Sequence, residues 1–192
     1  TPSAAYVDTT TAYDAYGRPT SVTDPNGRTT TTAYHPFYGY AQSVTNALNQ
    51  TSSTVMDPGW GAPISFTDLN GRVTTVQYDA FGRLSKVWLP TEPTTGPASK
   101  EFVYAADQRP AWIKTRQLRD TNGNYLETWA YFDGFGRSLQ SQAPLANGNR
   151  SVTSTAYNAL GQVAYQSAPY EAAGAAGSGY LAPTWTSVAA AS

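Results

Sequence analysis

The sequence predicts an all-β fold built as an antiparallel meander of β-hairpins, and three observations support this prediction. A phrase of an aromatic residue, an acid, two variable residues and a glycine recurs along the 192 residues. A second turn phrase, typically ending in Asn-Gly, falls between its copies. The segments between turns are about six to eight residues long and rich in threonine, tyrosine and valine, as is typical of strands.

The first phrase is most complete at residues 13–18, YDAYGR, and at residues 78–83, YDAFGR. Residues 132–137, FDGFGR, form a close variant. A catalytic loop needs to occur only once, so a phrase that recurs at a steady spacing is interpreted as structural. Its copies begin at Tyr13, Tyr34, Met56, Tyr78, Tyr104, Phe132 and Tyr157.

Both phrases have the chemistry of a tight hairpin turn. An aspartate at the first position can accept hydrogen bonds from backbone N–H groups inside the turn. The glycine supplies the left-handed conformation that closes a three-residue loop with a bulge. The predicted turn residues are Asp14, Gly17, Arg18, Asp24, Gly27, Asp68, Gly71, Asp79, Gly82, Asp133 and Gly136.

The apolar content is too thin for one thick core. The chain has 14 Tyr and 5 Trp but few aliphatic residues, and in RVTTVQY (72–78) neither face of the predicted strand is aliphatic. These strands fit a sheet with water on both sides. Because strands twist, a long ribbon of such hairpins should coil into a curved strip.

The predicted strip covers residues 1–170 and is interrupted at about 89–101, where the proline-rich LPTEPTTGPASK suggests an exposed insertion. Residues 171–192 are rich in Ala, Gly and Ser, and are interpreted as a linker or the lead-in to a further repeat. The first residues lack the pattern of a secretory leader and resemble the interior of a longer protein.

Charge and composition exclude several partners. The chain has 12 basic and 13 acidic residues and a net charge of -1, which gives no basic patch for nucleic acid. It has no cysteine, and no apolar run approaches the ~20 residues that span a bilayer. We expect no cofactor, no metal, no nucleic acid and no membrane insertion by this segment.

The phrases resemble the YD-repeat, or rearrangement hot spot (RHS), family, through Y-D-x-x-G-R at residues 13–18 and 78–83 and N-G-R at residues 26–28 and 70–72. The resemblance extends over roughly residues 6–170. The stretch FDGFGRSLQSQAP followed by YNALGQVAYQSAPY is also similar to the shell of bacterial Tc toxins, of the B/C component type.

This resemblance implies a curved strip of a hollow RHS-type β-shell. The implied function is to encapsulate, and help deliver, a toxin polypeptide, with neighbouring RHS repeats of the same longer chain and the enclosed toxin as partners. The implied location is secreted, outside or on the surface of a bacterial cell. The family's aspartate self-cleavage motif is not transferred to Asp24-Pro25 or Asp57-Pro58, which lie inside ordinary repeats.

The alternative function is an extracellular module that binds carbohydrate or protein on the same repeat. Tyrosine and tryptophan rings combine apolar area with a polar group and are enriched at interfaces. Trp60, inside the DPGWG turn, is the best single candidate for ligand contact. Most of the other tryptophans are expected to pack between strands rather than contact a ligand: Trp88, Trp112, Trp129 and Trp185.

Enzymatic activity is not expected. General acid–base chemistry needs paired groups in a cleft, whereas the main aspartates lie in predicted turns: Asp14, Asp24, Asp68, Asp79, Asp120 and Asp133. His35 replaces the aspartate of one copy and is therefore predicted to be a turn residue. The arginines that follow glycine are interpreted as solvated turn charges, since exposed ion pairs contribute only ~0–1 kcal/mol.

Overall fold

The computed structural model describes residues 8–183, and within this range it contains strands, turns and loops but no helix. The described residues form fifteen strands, whose pairings are antiparallel. The predicted all-β class and hairpin meander are thereby confirmed. The chain divides into two compact units, Thr1–Ala98 and Ser99–Ser192, which are described separately below.

The first unit is a meander in which each strand pairs with the next along the chain. The strands are short because turn residues recur every ten to twelve positions or so. Its strands β1 to β8 are Thr10–Tyr13, Pro19–Thr23, Thr29–Tyr34, Ala41–Thr45, Thr51–Met56, Pro63–Thr67, Val73–Tyr78 and Leu84–Trp88.

Successive turns of the first unit lie at opposite edges of the meander because its strands alternate in direction. We call the edge with turns 14–18, 35–40, 57–62 and 79–83 the aromatic edge, and the other edge the asparagine edge. At the aromatic edge each turn is accompanied by a register shift, as between Ala12 and Tyr13. Such a bulge follows from the left-handed glycine that closes the turn.

The faces of the first unit are polar and largely half-exposed. Threonine pairs bridge neighbouring strands through their hydroxyls, Thr23 with Thr29 at 2.8 Å and Thr45 with Thr51 at 2.7 Å. Among its described residues only Trp88 and Ala98 are buried. The first unit is therefore held together by strand pairing and turn contacts rather than by a thick core.

The predicted insertion at about 89–101 corresponds to a loop that follows β8. The indole nitrogen of Trp88 donates a hydrogen bond to the Gly96 carbonyl at 3.2 Å, and the backbone N–H of Leu89 donates to the Glu92 carboxylate at 2.8 Å. The tryptophan ring thus gives the loop an anchor. The next strand begins at Lys100.

The second unit continues the hairpin pattern with longer strands. Strand β13 has two partners on one side, since its second half pairs with β14 and its first half with β15. Its strands β9 to β15 are Lys100–Ala105, Ala111–Leu118, Tyr125–Phe132, Ser138–Pro144, Arg150–Tyr157, Val163–Gln166 and Tyr170–Ala172.

A small core lies on one face of β11, β12 and β13, and its largest fully buried side chains include two glutamines, Gln140 and Gln142. Residues of the segment 174–181 lie over this face. The domain boundary predicted between residues 170 and 171 stays a prediction. Residues 184–192 of the predicted linker, with Trp185, lie outside the described residues.

Candidate functional site

The turns of the aromatic edge are organised by their aspartates. In the first copy, one oxygen of Asp14 accepts hydrogen bonds from the backbone N–H groups of Tyr16 and Arg18, both at 2.9 Å. The other oxygen accepts one from the Arg18 Nε at 2.7 Å. The hydrogen bond from the Arg18 backbone, followed by that from its side chain, lowers the pKa of Asp14.

The same arrangement recurs wherever the full phrase occurs. Asp79 with Arg83, and Asp133 with Arg137, have matching bonds and 2.7 Å ion pairs. Partial burial works against the ionised form of Asp79 and Asp133, but the hydrogen bonds from the arginines outweigh it, and the pKa of each is lowered.

The remaining predicted turn residues also lie in hairpin connections. Asp24 and Asp68 each accept bonds from the N–H groups two and four residues ahead. The predicted turn glycines are all left-handed, with φ of 77° at Gly17, 76° at Gly27, 74° at Gly71, 74° at Gly82 and 76° at Gly136.

Two copies of the phrase differ from the predicted three-residue loop by one extra residue. Gly39 donates to the His35 carbonyl and Gly61 to the Asp57 carbonyl, four residues back rather than three. His35 takes the role of the aspartate: its Nδ1 accepts from the N–H groups of Phe37 and Tyr38 at 3.3 and 3.2 Å. A ring nitrogen therefore replaces the carboxylate oxygen in this turn.

The arginines of the phrase do more than their interpretation as solvated charges implies. The Arg18 guanidinium lies over the ring of Tyr34, the first residue of the next copy, at 4.4 Å from its centre. It also donates to the Gly39 carbonyl in the next turn of the same edge at 3.2 Å. Arg137 lies at the same 4.4 Å from the ring of Tyr157.

In three copies of the phrase, the first tyrosine donates a hydrogen bond back to the preceding repeat. The hydroxyl of Tyr34 donates to the Pro19 carbonyl at 3.0 Å, and that of Tyr78 to the Pro63 carbonyl at 2.9 Å. Tyr157 makes the same bond to the carbonyl of Ser138. We call this recurrent unit of aspartate, arginine and following tyrosine the repeat ladder. The recurrence of arginine and tyrosine in the phrase was the signal for it, but their partners lie a repeat apart.

Trp60, the predicted ligand-contact residue, lies at the aromatic edge. Its side chain is 54% exposed, and its ring packs over Gly82 in the next turn, where an added Cβ would come within 2.7 Å. Trp60 thus covers the next turn much as Arg18 does in the first copy. Ligand contact by Trp60 stays a prediction. Among the other described tryptophans, Trp88 is buried, and Trp112 and Trp129 are half-buried.

Apolar rings project from the tips of the aromatic edge. Tyr16, Phe37 and Phe81 are 81%, 85% and 77% exposed, and with Trp60 they form one row. Alternate turns of a meander are about 9 to 10 Å apart. The tips of the asparagine edge are mixed, with Leu48 exposed among asparagines. Phe135 and Leu160 occupy equivalent turn positions in the second unit.

A row of charges crosses β9, β10 and β11 in the second unit. Arg116 forms ion pairs with Glu101 and with Glu127, the latter at 2.9 Å, and its guanidinium lies 4.1 Å from the centre of the Tyr125 ring. Burial opposes its charge, but the two carboxylates outweigh this and raise the pKa of Arg116. Across residues 8–183 there is no group of three or more His, Cys, Asp or Glu side chains placed to hold a metal ion.

Comparison with known proteins finds a family match in the first unit. Residues 13–51, which hold the first complete copy of the phrase and its repeat ladder, match the RHS repeat family. Residues 13–51 carry an RHS repeat.

The fold of the chain is shared with two solved structures. The crystal structure of TcdB2-TccC3 matches 81% of this chain with a TM-score of 0.66 and 18% identity. That of TcdB2-TccC3-Cdc42 matches 85% with a TM-score of 0.69 and 15% identity. This chain spans only 10% and 13% of the length of those chains.

The second half of the chain also matches a defined family. Residues 108–191 match DUF6443, a domain of unknown function. No curated protein matches the chain in sequence. Within residues 8–183, no helix has the length and apolar character needed to cross a membrane.

Proposed function

We propose that this chain is a wall segment of a hollow RHS shell, and that the shell encapsulates a toxin polypeptide and helps to deliver it outside a bacterial cell. The RHS repeats and the fold shared with TcdB2-TccC3 support this proposal. The small share of those chains that the strip spans supports its being one segment of a much larger wall. Its partners are then the neighbouring repeats and the enclosed polypeptide.

The repeat ladder is the observation that carries this proposal. Arg18 and Tyr34 join one copy of the phrase to the next through a ring contact, and the Tyr34 hydroxyl bonds back to Pro19. Contacts of this kind act between nearest neighbours, so a sheet built on them can lengthen by adding repeats without a growing core. A wall has to extend in this way.

The faces of the strip suit a container for an unfolded or labile polypeptide. Strands such as β3 and β5 present threonine and serine, with few aliphatic side chains. A face without a large apolar patch offers little to hold a cargo irreversibly. The turn aspartates are occupied by backbone N–H groups, so the segment is proposed to be non-enzymatic.

The test uses the product of the complete reading frame that contains this segment. Electron cryo-microscopy should find an enclosed volume whose wall includes residues 8–183. Limited proteolysis of the native protein should leave a second polypeptide, or a distinct part of the chain, uncut until the shell is opened by denaturant. An open particle without enclosed volume, or uniform digestion before denaturation, contradicts the proposal.

A second candidate function, binding of a cell-surface glycan or protein, is favoured by the exposed row of the aromatic edge. Tyr16, Phe37 and Phe81 present rings whose surfaces are mostly in water, and such rings stack well on sugars and partner side chains. Replacing these three by serine should abolish binding on glycan arrays or to host cells. The control is Leu48→Ser at the asparagine edge, which should leave binding unchanged. An equal loss in both variants, or no binding by the parent chain, contradicts this function.

A further inference from the structure

The polar face of the second unit is buried under the chain's own later segment. Tyr131 on β11, Gln140 and Gln142 on β12 and Ser154 on β13 are between 0% and 3% exposed. Burying amides away from water is costly unless every hydrogen-bonding position is filled. Residues 177–181, which we call the strap, contribute to filling them.

The two glutamines form hydrogen bonds with the backbone of the strap. The amide oxygen of Gln142 accepts from the Gly177 N–H, and its nitrogen donates to the Gly179 carbonyl, both at 2.9 Å. Gln140 donates to the Leu181 carbonyl at 2.9 Å and accepts from the Leu181 N–H at 3.2 Å. Bonds between the glutamines and to Ser154 use the remaining amide hydrogens.

Arg150 on β13 adds a buried cation to the same face. It is 5% exposed and donates to the Gly179 carbonyl at 2.8 Å and to the Gln142 oxygen at 3.1 Å. It has no carboxylate partner among residues 8–183, and its Nε atom is buried without a hydrogen-bond partner. A buried charge without a counter-ion is costly to stability. The Arg150 guanidinium is nevertheless well placed to donate hydrogen bonds to a backbone carbonyl of a bound peptide.

The face also selects the strap's side chains. Gly177 has φ of +83° and lies against the Trp129 ring, where an added Cβ would come within 2.1 Å of the indole. Gly179 has φ of +131°. The Tyr180 ring packs at 5.9 Å from that of Tyr131. The face therefore fits a segment of the pattern glycine, any residue, glycine, aromatic.

We propose that this face of β11–β13 is a peptide-binding site for a glycine-bracketed segment followed by an aromatic residue, occupied in this chain by the strap. Gln140, Gln142 and Arg150 hold the peptide backbone, while Trp129 and Tyr131 select its side chains. Site and strap both lie inside the DUF6443 match, so the site assigns peptide recognition to that domain. It does not depend on the wall function proposed above.

The experiment uses the full chain carrying Gly177→Val, because the clash of a valine with the Trp129 ring should expel the strap while every residue of the face is kept. A synthetic peptide of residues 174–183 is then titrated by calorimetry. The Gly177→Val chain should bind this peptide, and the parent chain should bind it at least tenfold more weakly because its own strap occupies the site.

Two matched controls define the specificity. A peptide with valine in place of Gly177 should not bind, and the chain carrying both Gly177→Val and Gln142→Ala should not bind the parent peptide. Absence of peptide binding by a folded Gly177→Val chain overturns the proposal. Equal binding of the parent and valine peptides also overturns it.

If Gly177→Val does not fold, amide hydrogen exchange in the parent chain decides the question. The Gly177 and Leu181 N–H groups should exchange at least tenfold more slowly than the N–H of Gly134, in an exposed turn. Gln142→Ala should remove the protection at Gly177, and Gln140→Ala that at Leu181, while circular dichroism is unchanged. Exchange at Gly177 and Leu181 that is unaffected by these substitutions overturns the proposal.

Discussion

At the scale of single residues, the turn glycines and aspartates determine the backbone geometry of the hairpin turns. Gly17 and Gly82 have nearly the same φ, 77° and 74°, but nothing lies within 4 Å of an added Cβ at Gly17, whereas the Trp60 ring lies there at Gly82. Asn49, with φ of 60°, takes the place of a turn glycine at the asparagine edge.

We therefore expect Gly82→Val to destabilise the chain more than Gly17→Val. A β-branched residue in the left-handed region costs about 1–3 kcal/mol at either position. Gly82→Val must also displace Trp60, which should add about 1 kcal/mol. Thermal unfolding of both variants and the parent measures the difference. Equal melting temperatures for Gly82→Val and the parent would contradict the turn assignment.

The turn aspartates make the stability of the folded chain depend on pH. The pKa values of Asp14, Asp79, Asp120 and Asp133 are lowered from the ordinary value of 3.8 by hydrogen bonds within their turns. Because the folded state prefers the ionised form, these bonds contribute fully above pH 3.8 and are lost as the pH falls through the folded-state pKa values.

The melting temperature should accordingly fall as the pH is lowered from 5 to 2.5. The chain itself supplies the control, since Asn46 and Asn158 accept the same backbone bonds with an uncharged amide. Replacing the four aspartates by asparagine should flatten the pH dependence in this range. An unaltered slope in that variant would show that other groups cause the acid sensitivity.

At the scale of elements, the repeat ladder joins one hairpin to the next. Arg18 combines an ion pair with Asp14 and a ring contact with Tyr34. Arg28, which follows a turn at the asparagine edge, has neither kind of contact among residues 8–183. The two arginines follow equivalent turn glycines and so form a matched pair.

Arg18→Lys should lower the free energy of unfolding by about 1 kcal/mol, because lysine keeps the charge but loses the planar group that stacks on tyrosine. Arg28→Lys should change it by less than about 0.5 kcal/mol, as is usual for a surface position. Urea unfolding of the two variants under identical conditions makes the comparison. Equal effects would mean that the stacking contributes nothing.

At the scale of the whole molecule, the shortage of buried residues governs how the chain unfolds. Six apolar and five polar residues are buried among those described, and most other side chains keep contact with water. The slope of unfolding free energy against denaturant scales with the surface newly exposed. Little new surface is exposed when the folded chain is already well hydrated.

We expect the urea slope of this chain to lie at the low end of the roughly 1–3 kcal/mol/M seen for small proteins, despite its 192 residues. Equilibrium urea unfolding followed by circular dichroism measures this slope. A value at the high end of that range would indicate a buried core that the described residues lack.

Local chemistry made the hairpins predictable. The bonds that define a turn such as 14–18 join residues two to four positions apart, so the phrase by itself specifies the turn, the direction reversal and the strand length. The extra residue in turns 35–40 and 57–62 was not predicted, although Gly39 and Gly61 each lie one position later in the phrase than Gly17 does. The contact between the Arg18 guanidinium and the Tyr34 ring could not be predicted from the sequence. The two residues lie sixteen positions apart, and neither residue type specifies the other as its partner.

By itself the sequence determined the antiparallel hairpins and their resemblance to RHS repeats, because turn geometry depends on a handful of adjacent residues. Only the tertiary structure decided that Gln140, Gln142 and Arg150 are buried and what buries them. Their partners in the strap lie 29 to 41 positions away, and the same Ala- and Gly-rich sequence is typical of a linker when no face is present to bind it. Long-range burial depends on where a segment comes to lie, which short-range propensity does not specify.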